Sequence, residues 1–534
     1  MYVYKGAAAS YWQYNLFTHS KKVREKKMNT LSKTIALLIL LTIGTLVTEA
    51  RTTKPILGTW LNLTYQDVRN KYMNPAHIDN TNPDLWRLKI KELSEMGVNY
   101  LVIMAVANEG QSFYPSDFMP HAYSDNRESP VEAIMNAADD NNMQVFMSCG
   151  WAKNQDDDLR KPEIRKTQIR IMEEVAAKFG HHKSFYGWYL PVEDAVNPYL
   201  PEHAVDAVNT LTAEARRCKP DAVVMVSPYG VRLSNVDDPK FGEQIAKLKV
   251  DIIAFQDEIG CVPETLPLPL MKENFRKLCD IHKKAGIRFW ANNESFTWEK
   301  GTNSRESALI PAAFPRFLSQ MTGVTKAGAE EVISFAMYGI YDKPSSEMPI
   351  GQPCLSAKAY LDYMDWKAGK GRWPLLEATF INDLYHDAID KNITFISQPS
   401  SKYNRGNLTD KKLGDEDMKN PNWLGFKDKD MDAILDLDSV KVIRTLAIRF
   451  LNYLPKSIAL PDMVDFYLST DGESFKKVKT VAMETTPNNI HDCWIDIAVA
   501  DGLNEQARYI KVVASNKANY WLLADEILVN PEFN

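Results

Sequence analysis

Eight short apolar segments separated by amphipathic helical patterns fill residues 54–367, and they constrain the fold more than any other feature. The segments predicted as strands are residues 56–61, 100–106, 144–149, 185–190, 223–227, 252–255, 288–292 and 332–337. Helical patterns lie between them at residues 84–96, 130–141, 163–179, 202–218 and 271–285. Eight such units predict an α/β fold, a (β/α)8 TIM barrel. The alternative is a doubly wound sheet, but Gly58-Thr59-Trp60 is not the glycine-rich turn that such a sheet needs.

The helical period disappears beyond about residue 390. Alternating segments follow at residues 433–437, 445–450, 464–469, 494–497 and 509–513, separated by Asp, Gly, Asn and Pro. This pattern is typical of an antiparallel β-sandwich. We therefore predict a barrel domain at residues 51–370, a linker at 371–390 and an all-β sandwich domain at 391–534.

The amino-terminal 50 residues have the pattern of an export signal. A basic cluster at residues 21–27 precedes Met28, an apolar run spans residues 34–47, and Thr48-Glu49-Ala50 follows. This order predicts a secretory signal cleaved after Ala50, with Met28 as the true start. The run is shorter than the ~20 residues of a membrane span, so we expect a periplasmic or secreted protein with no span after cleavage. A retained anchor is the alternative.

Charge and composition exclude several function classes. Lys and Arg number 63 against 69 Asp and Glu, so the net charge of −6 leaves no basic surplus for a nucleic-acid partner. The six cysteines show no C-x-x-C spacing, which favours isolated thiols and leaves any disulfide pairing open. The nine histidines form no H-E-x-x-H motif. We therefore expect no cofactor for catalysis.

Two glutamates stand where a barrel builds its active site, at the carboxyl ends of the strands. Glu193 follows the fourth predicted strand and Glu294 follows the seventh. Hydrolysis of a glycosidic bond needs one carboxylic acid as proton donor and one carboxylate as nucleophile or base. The sequence therefore predicts Glu193 and Glu294 as a catalytic pair, with Asp257 or Glu258 as an alternative partner for Glu193.

Other polar and aromatic residues follow the strands and are candidates for binding a sugar, because aromatic faces stack on sugar rings. They are Trp60, Asn108, Trp151, Tyr229, Gln256, Asp257, Glu258, Asn293 and Tyr338. Trp188 and Trp290 are better explained as barrel packing. Counting back by twos from Glu294 puts Arg288 on the inward face, so either the strand starts at Phe289 or a bulge resets the alternation.

Three strand-end runs of the barrel resemble a known family. The runs YGWYLPVED (186–194), DIIAFQDEIG (251–260) and FWANNESF (289–296) resemble an uncharacterised family of bacterial secreted proteins regarded as TIM-barrel glycosyl hydrolases. In the large clan of retaining barrel glycosidases, the acid/base follows strand four and the nucleophile follows strand seven. The resemblance thus implies Glu193 as acid/base and Glu294 as nucleophile, although Val192 stands where that clan usually has asparagine.

The carboxy-terminal segment resembles a discoidin-like (coagulation factor V/VIII type C) sandwich, a jelly-roll module often attached to bacterial carbohydrate enzymes. The resemblance rests on six motifs, which are residues 407–410, 423–426, 434–437, 466–472, 507–512 and 524–527. Such domains often hold a structural calcium ion. The resemblance implies Asp410 and Glu526 as its ligands, and hard oxygen ligands of this kind suit calcium.

These patterns predict an exported glycoside hydrolase that cleaves an oligosaccharide or polysaccharide. A non-catalytic carbohydrate-binding protein on a barrel scaffold is the alternative, motivated by Val192 and by the appended sandwich. A structural role with a protein partner has the least support, since nothing in the sequence marks a docking helix. The sugar, the linkage and the anomeric outcome are left open.

Overall fold

The computed structural model describes residues 53–63, 79–260, 266–301, 307–382, 384–483 and 491–533. The predicted export signal lies outside these residues. Within the described part of the chain, no helix is both long and apolar enough to cross a membrane.

Eight parallel strands close into a barrel in the order β1, β12, β9, β8, β7, β6, β5, β2. These strands are β1 (Gly58–Leu61), β2 (Tyr100–Ile103), β5 (Gln144–Ser148), β6 (Phe185–Leu190), β7 (Val223–Val226), β8 (Ile252–Gln256), β9 (Arg288–Glu294) and β12 (Glu331–Phe335). Two short hairpins leave the barrel sheet, β3 (Ala107–Asn108) with β4 (Gln111–Ser112) and β10 (Phe296–Trp298) with β11 (Leu309–Pro311). The predicted TIM barrel is confirmed.

Helices connect the barrel strands. They are α1 (Pro83–Met96), α2 (Pro130–Asp140), α3 (Pro162–Phe179), α4 (Glu202–Cys218), α5 (Pro239–Ile245), α6 (Leu268–Ala285), α7 (Phe314–Ala327) and α8 (Pro353–Lys367). Local sequence explains their starts, since Asn82 caps α1 and Ser129 caps α2 by accepting backbone N–H bonds. A proline then begins each of these two helices, where its missing N–H costs nothing.

Alternate residues of every barrel strand fill its interior. This inner cluster includes Trp60, Val102, Phe146, Tyr189, Met225, Ile252, Ala254, Trp290 and Ile333. Trp290 is fully buried there, with its ring centroid 5.0 Å from that of Tyr100. Arg288 shares the inward face of β9 and lies at its amino end, 5.4 Å above the Trp290 ring and paired with Glu330. No bulge is needed, because the arginine closes the bottom of the barrel with its charge neutralised.

The carboxy-terminal domain is an antiparallel sandwich, as predicted. Its five-stranded sheet runs β14 (Asn392–Phe395), β16 (Met431–Ile443), β21 (Glu505–Ala514), β18 (Met463–Ser469) and β19 (Lys476–Ala482). Its four-stranded sheet runs β15 (Leu424–Lys427), β22 (Trp521–Val529), β17 (Leu446–Asn452) and β20 (Trp494–Ala500). Apolar residues of the two inner faces, Phe426, Phe450 and Phe466 among them, form one core. A two-stranded sheet pairs β13 (Leu384–Tyr385) with β23 (Glu532–Phe533).

The barrel and the sandwich pack together, and Thr53–Asn534 forms one compact unit. Residues 371–390, predicted as a linker, contain helix α9 (Trp373–Ile381). Just before this helix, Arg372 pairs with Asp496 of β20 at 2.7 Å. On another part of the interface, Lys272 of α6 pairs at 3.1 Å with Glu416 of the sandwich. Buried ion pairs therefore cross the junction at separate places.

Candidate active site

The two predicted catalytic glutamates lie at the carboxyl ends of β6 and β9, which are separated in the barrel by β7 and β8. Glu193 belongs to the loop that follows β6, whereas Glu294 is the last residue of β9. Glu193 contacts the hydroxyl of Tyr189, whose ring lies in the barrel interior. Glu294 shares the face of β9 that carries the inward-facing Trp290.

Glu193 is half-buried, and its partners among the described residues are two side chains. Its Oε1 accepts a hydrogen bond from the Tyr189 hydroxyl at 3.2 Å, and its Oε2 accepts one from the Gln155 amide. The Tyr189 ring is in turn fixed by an edge contact with Trp60, at a centroid distance of 5.7 Å. Burial raises the pKa of Glu193 to about 6, against the opposing effect of these two hydrogen bonds. Such a carboxyl group can carry a proton near neutral pH and release it.

Glu294 is only 2% exposed and is held at its carboxylate and at both of its peptide groups. Its Oε2 accepts the Gly260 N–H at 2.6 Å, its own N–H donates to Asp257 at 3.1 Å, and its carbonyl accepts Gln320 Nε2 at 3.1 Å. A side chain at Gly260 would collide with the Phe296 carbonyl oxygen and reach within 3.4 Å of Glu294 Oε2. Only glycine therefore allows the loop after β8 to approach this carboxylate so closely.

Asp257 and Asn293 were predicted to bind substrate, but the structure places them outside the barrel mouth. Both are fully buried between the strand ends and helix α7. Asp257 Oδ2 accepts Asn293 Nδ2 at 2.7 Å and Gln320 Nε2 at 2.6 Å. Burial raises the pKa of Asp257, and the hydrogen bond from Gln320 opposes that rise. In this structure neither residue is open to a substrate, and Asp257 is not placed to act as the partner of Glu193.

Strand alternation explains this correction. Ile253 and Phe255 of β8 face the helices, so Asp257 follows them outward, while Ile252 and Ala254 direct Gln256 inward. Likewise, the neighbour of Asn293 that faces inward is Asn292. Its Nδ2 donates to Ser227 at 3.2 Å and its Oδ1 accepts the Phe335 N–H at 2.8 Å. Counting by twos from Glu294 would have found Asn292 in the sequence.

Glu258, the other alternative partner, is also buried, in the loop after β8, where it contacts the loop after β7. It adopts a left-handed φ of 55° and its Oε2 accepts the Arg232 N–H at 3.0 Å. Burial raises its pKa, and the hydrogen bond with the backbone of Arg232 opposes the rise. This geometry gives Glu258 a role in fixing the loops after β7 and β8. Glu258 was predicted to contact the substrate, but in this structure it is not open to one.

The predicted aromatic platform is closed in this structure. Trp60 packs inside the barrel, and Trp151 is buried with its Nε1 donating to the Pro191 carbonyl at 3.2 Å. Tyr338 stacks outward on Trp86 of α1, with ring centroids 5.0 Å apart. Three predicted contact residues remain half-buried, and they are Asn108, Tyr229 and Gln256. Two residues that the sequence analysis missed, Gln155 and Tyr189, contact Glu193 directly; Tyr189 lies four residues before it, whereas no motif marks Gln155.

The two predicted calcium ligands are close in the sandwich. Glu526 is fully buried, accepts the Lys411 N–H at 3.2 and 3.1 Å, and lies 3.2 Å from the His386 ring. Burial raises the pKa of Glu526 to about 8, and the negative charge of Asp410 adds to the rise. Among the residues that the structure describes, no group of three His, Cys, Asp or Glu could hold a metal ion. A calcium ion here would fit only if carbonyl and amide oxygens completed the six to eight ligands that it prefers.

The barrel carries the match that decides the family. Residues 56–348, more than half of the chain, match the family model described as a domain of unknown function, DUF4434. The chain belongs to the DUF4434 family. No curated protein matches it.

Solved structures similar to this DUF4434 protein include carbohydrate enzymes and binding modules. One is a candidate alpha-L-fucosidase from Bacteroides thetaiotaomicron VPI-5482, 18% identical over 59% of this chain and 95% of that chain, with a TM-score of 0.46. A Ruminococcus gnavus GH29 fucosidase in complex with fucose is 12% identical over 90% of this chain and 95% of that chain, at 0.32. A CBM32 module from a Clostridium perfringens family 31 glycoside hydrolase is 16% identical over 26% and 93%, at 0.20. Scores this low assign no activity.

Proposed function

We propose that this DUF4434 protein is a glycoside hydrolase in which Glu193 donates the proton and Glu294 acts as nucleophile or base. The observation that carries the proposal is the unequal environment of two strand-end glutamates. Burial holds the pKa of Glu193 at about 6, as a proton donor requires. Glu294 instead accepts a backbone N–H at 2.6 Å, an arrangement that suits an ionised oxygen.

In the proposed reaction, Glu193 protonates the glycosidic oxygen as the bond to the anomeric carbon breaks. Glu294 attacks that carbon, or removes a proton from an attacking water, on the opposite face of the sugar. Tyr189 and Gln155 orient the proton donor, and Asp257 and Gln320 fix the peptide of Glu294. The half-buried Asn108, Tyr229 and Gln256 are the proposed substrate contacts.

The proposal is tested with wild type, Glu193→Gln and Glu294→Gln on a panel of aryl glycosides and polysaccharides. Each variant should lower kcat by about 10²–10⁴-fold while thermal unfolding stays cooperative. Asp194→Asn is the matched control, because Asp194 adjoins Glu193 but pairs with His203 at 3.2 Å. Full activity in both glutamine variants would reject the pair.

A non-catalytic glycan-binding barrel is the second candidate, favoured by the burial of Glu294, whose 2% exposure leaves its carboxylate little access to a substrate. Calorimetry with the same polysaccharides separates the two. Binding without any product after long incubation would support the second candidate over hydrolysis.

Export and calcium binding complete the proposal. Export rests on residues 28–50, and the amino-terminal residue of protein recovered outside the cytoplasm should be Arg51. Calcium binding at Asp410 and Glu526 rests on the nearness of two carboxylates, one of them buried. The proposed partner is a glycan that binds to the barrel, and the sandwich is proposed as a carbohydrate-binding module.

A further inference from the structure

A buried arginine connects the sandwich to the peptide of Glu294. Arg316 lies in the first turn of α7 and is only 2% exposed. Its Nη2 donates to the carbonyl oxygen of Phe296 at 2.7 Å and contacts that of Glu294 at 3.5 Å. On the other side, its Nε lies 3.5 Å from Oδ2 of Asp492, a buried residue two positions before β20.

The charge balance of this arginine depends on the sandwich. A buried guanidinium is costly unless a carboxylate and hydrogen bonds compensate it. Among the described residues, Arg316 Nη1 and Asp492 Oδ2 have no hydrogen-bond partner. The guanidinium is compensated by the Phe296 carbonyl at Nη2 and by the charge of Asp492 beside Nε. Asp257 is the other carboxylate whose charge Arg316 influences, and the arginine therefore lies between an acid of the barrel and an acid of the sandwich.

Helix α7 applies this restraint to Glu294 at two points. One turn after Arg316, Gln320 Nε2 donates to the Glu294 carbonyl at 3.1 Å and to Asp257 at 2.6 Å. The sandwich also contacts the continuation of the same strand, because the His491 ring lies against Gly301 and would be 3.0 Å from an added Cβ. Two adjacent sandwich residues thus face the segment that follows Glu294.

We propose that Asp492 is a positioning residue for Glu294. Through the Arg316 guanidinium it fixes the backbone at the end of β9, so the sandwich is a working part of the barrel's candidate active site and not only an attached module. The inference rests on the proposed function, since it takes Glu294 to be the reacting carboxylate.

The test compares Asp492→Asn with Asp496→Asn. Asp496 lies four residues further along, is also buried and pairs at 2.7 Å with Arg372, just before helix α9, so its variant loosens the same interface away from Glu294. Hydrogen exchange of peptides spanning residues 288–298 is the readout that needs no substrate. Asp492→Asn should speed this exchange about 10-fold, whereas Asp496→Asn should leave it unchanged.

Kinetics provide the second readout. Asp492→Asn should lower kcat about 10-fold with KM within twofold, because a misplaced reacting group loses rate rather than binding. Asp492→Glu, which keeps the charge but lengthens the side chain, should reduce both effects to a severalfold change. If Asp492→Asn does not fold, the same comparison is made between Asp492→Glu and Asp496→Glu, with a smaller, severalfold change expected only in the first.

Unchanged exchange in the Asp492 variants, or equal changes in the Asp492 and Asp496 variants, would overturn the inference. Failure of the proposed function has a different signature. A wild-type protein that hydrolyses no glycoside, with exchange faster only in the Asp492 variants, would reject the glycosidase and keep the coupling.

Discussion

The fourth and seventh barrel strands, β6 and β9, each place a glutamate at the barrel mouth. On the strand-four side and on the strand-seven side, these two glutamates differ in burial and in hydrogen-bond partners. Glu193 lies three residues beyond β6, half-buried, and is restrained by Tyr189 and Gln155. Glu294 ends β9 and is almost fully buried. Its carboxylate accepts the backbone N–H of Gly260, and its own peptide groups are bonded by the side chains of Asp257 and Gln320. Environment, and not residue type, therefore separates the proposed proton donor from the proposed nucleophile or base.

The largest expected effect distinguishes the two glutamates by leaving group. Glu193→Gln should lower kcat/KM by about 10²–10⁴-fold on methyl glycosides but little on 2,4-dinitrophenyl glycosides, whose leaving group needs no proton. Glu294→Gln should lower both, because bond formation or water activation is needed in either case. Steady-state kinetics on the matched substrates measure this difference. The same leaving-group dependence in both variants would remove the distinction between the two sides.

The pH dependence should come from the Glu193 side. The pKa of Glu193 is about 6, so its protonated fraction and kcat/KM should fall about tenfold per pH unit above pH 6. Glu193→Gln should lose this alkaline limb, since the amide does not titrate, whereas Asp194→Asn should keep it. A limb that persists in Glu193→Gln would assign the titration to another group.

The free energy of unfolding should be more sensitive to substitution on the strand-seven side than on the strand-four side. Asp257→Asn places an amide donor against Asn293 and Gln320, which are themselves donors, and should cost about 1–3 kcal/mol of unfolding free energy. Asp194→Asn, on the half-exposed strand-four loop, should change that free energy by less than about 0.5 kcal/mol. Chemical denaturation measures both values. Equal costs would mean that the network behind Glu294 is no more rigid than the loop of Glu193.

The smallest expected effect extends the comparison to the buried glutamate of the sandwich. The pKa of Glu526 rises from 4.5 to about 8 on folding, so its stabilising contribution is complete below pH 4.5 and is lost as pH rises through 8. Calcium binds the ionised carboxylate, so millimolar calcium should raise Tm by roughly 2 °C at pH 8 and less at pH 5. Glu526→Gln should abolish the calcium effect. An equal shift at both pH values would place the ion elsewhere.

The sequence predicted the barrel because its eight strands and five of its helices carry a local signal. The apolar runs that became β6, β8 and β9 are short and bounded by helix starts and glycines, and the predicted sandwich follows them where the helical period ends. Membership of a family of unknown function agrees with the resemblance of the strand-end runs. Periodicity could indicate these elements because it reflects burial on one side, a local property.

The candidate active site was harder to predict from the sequence than the fold. Glu193 and Glu294 were placed at the correct strand ends, but Asp257 and Asn293 were assigned to the mouth although strand alternation turns them toward α7. Gln155, which bonds Glu193 from a distant loop, has no motif of its own. Long-range contacts of this kind depend on how the loops pack, and the residues next to Gln155 in the sequence give no sign of them.

By itself, the sequence determined the eight barrel strands, the change from barrel to sandwich and the strand ends at which the two glutamates lie. Only the tertiary structure decided which of two adjacent residues at a strand end faces inward, and how Arg288 can begin an apolar strand. It also decided that Arg316 joins Asp492 of the sandwich to the peptide of Glu294. The physical reason is that periodic burial produces a pattern of apolar and polar residues within a short segment of the sequence. The pairing of buried charges and hydrogen bonds is fixed only when segments far apart in the chain come into contact.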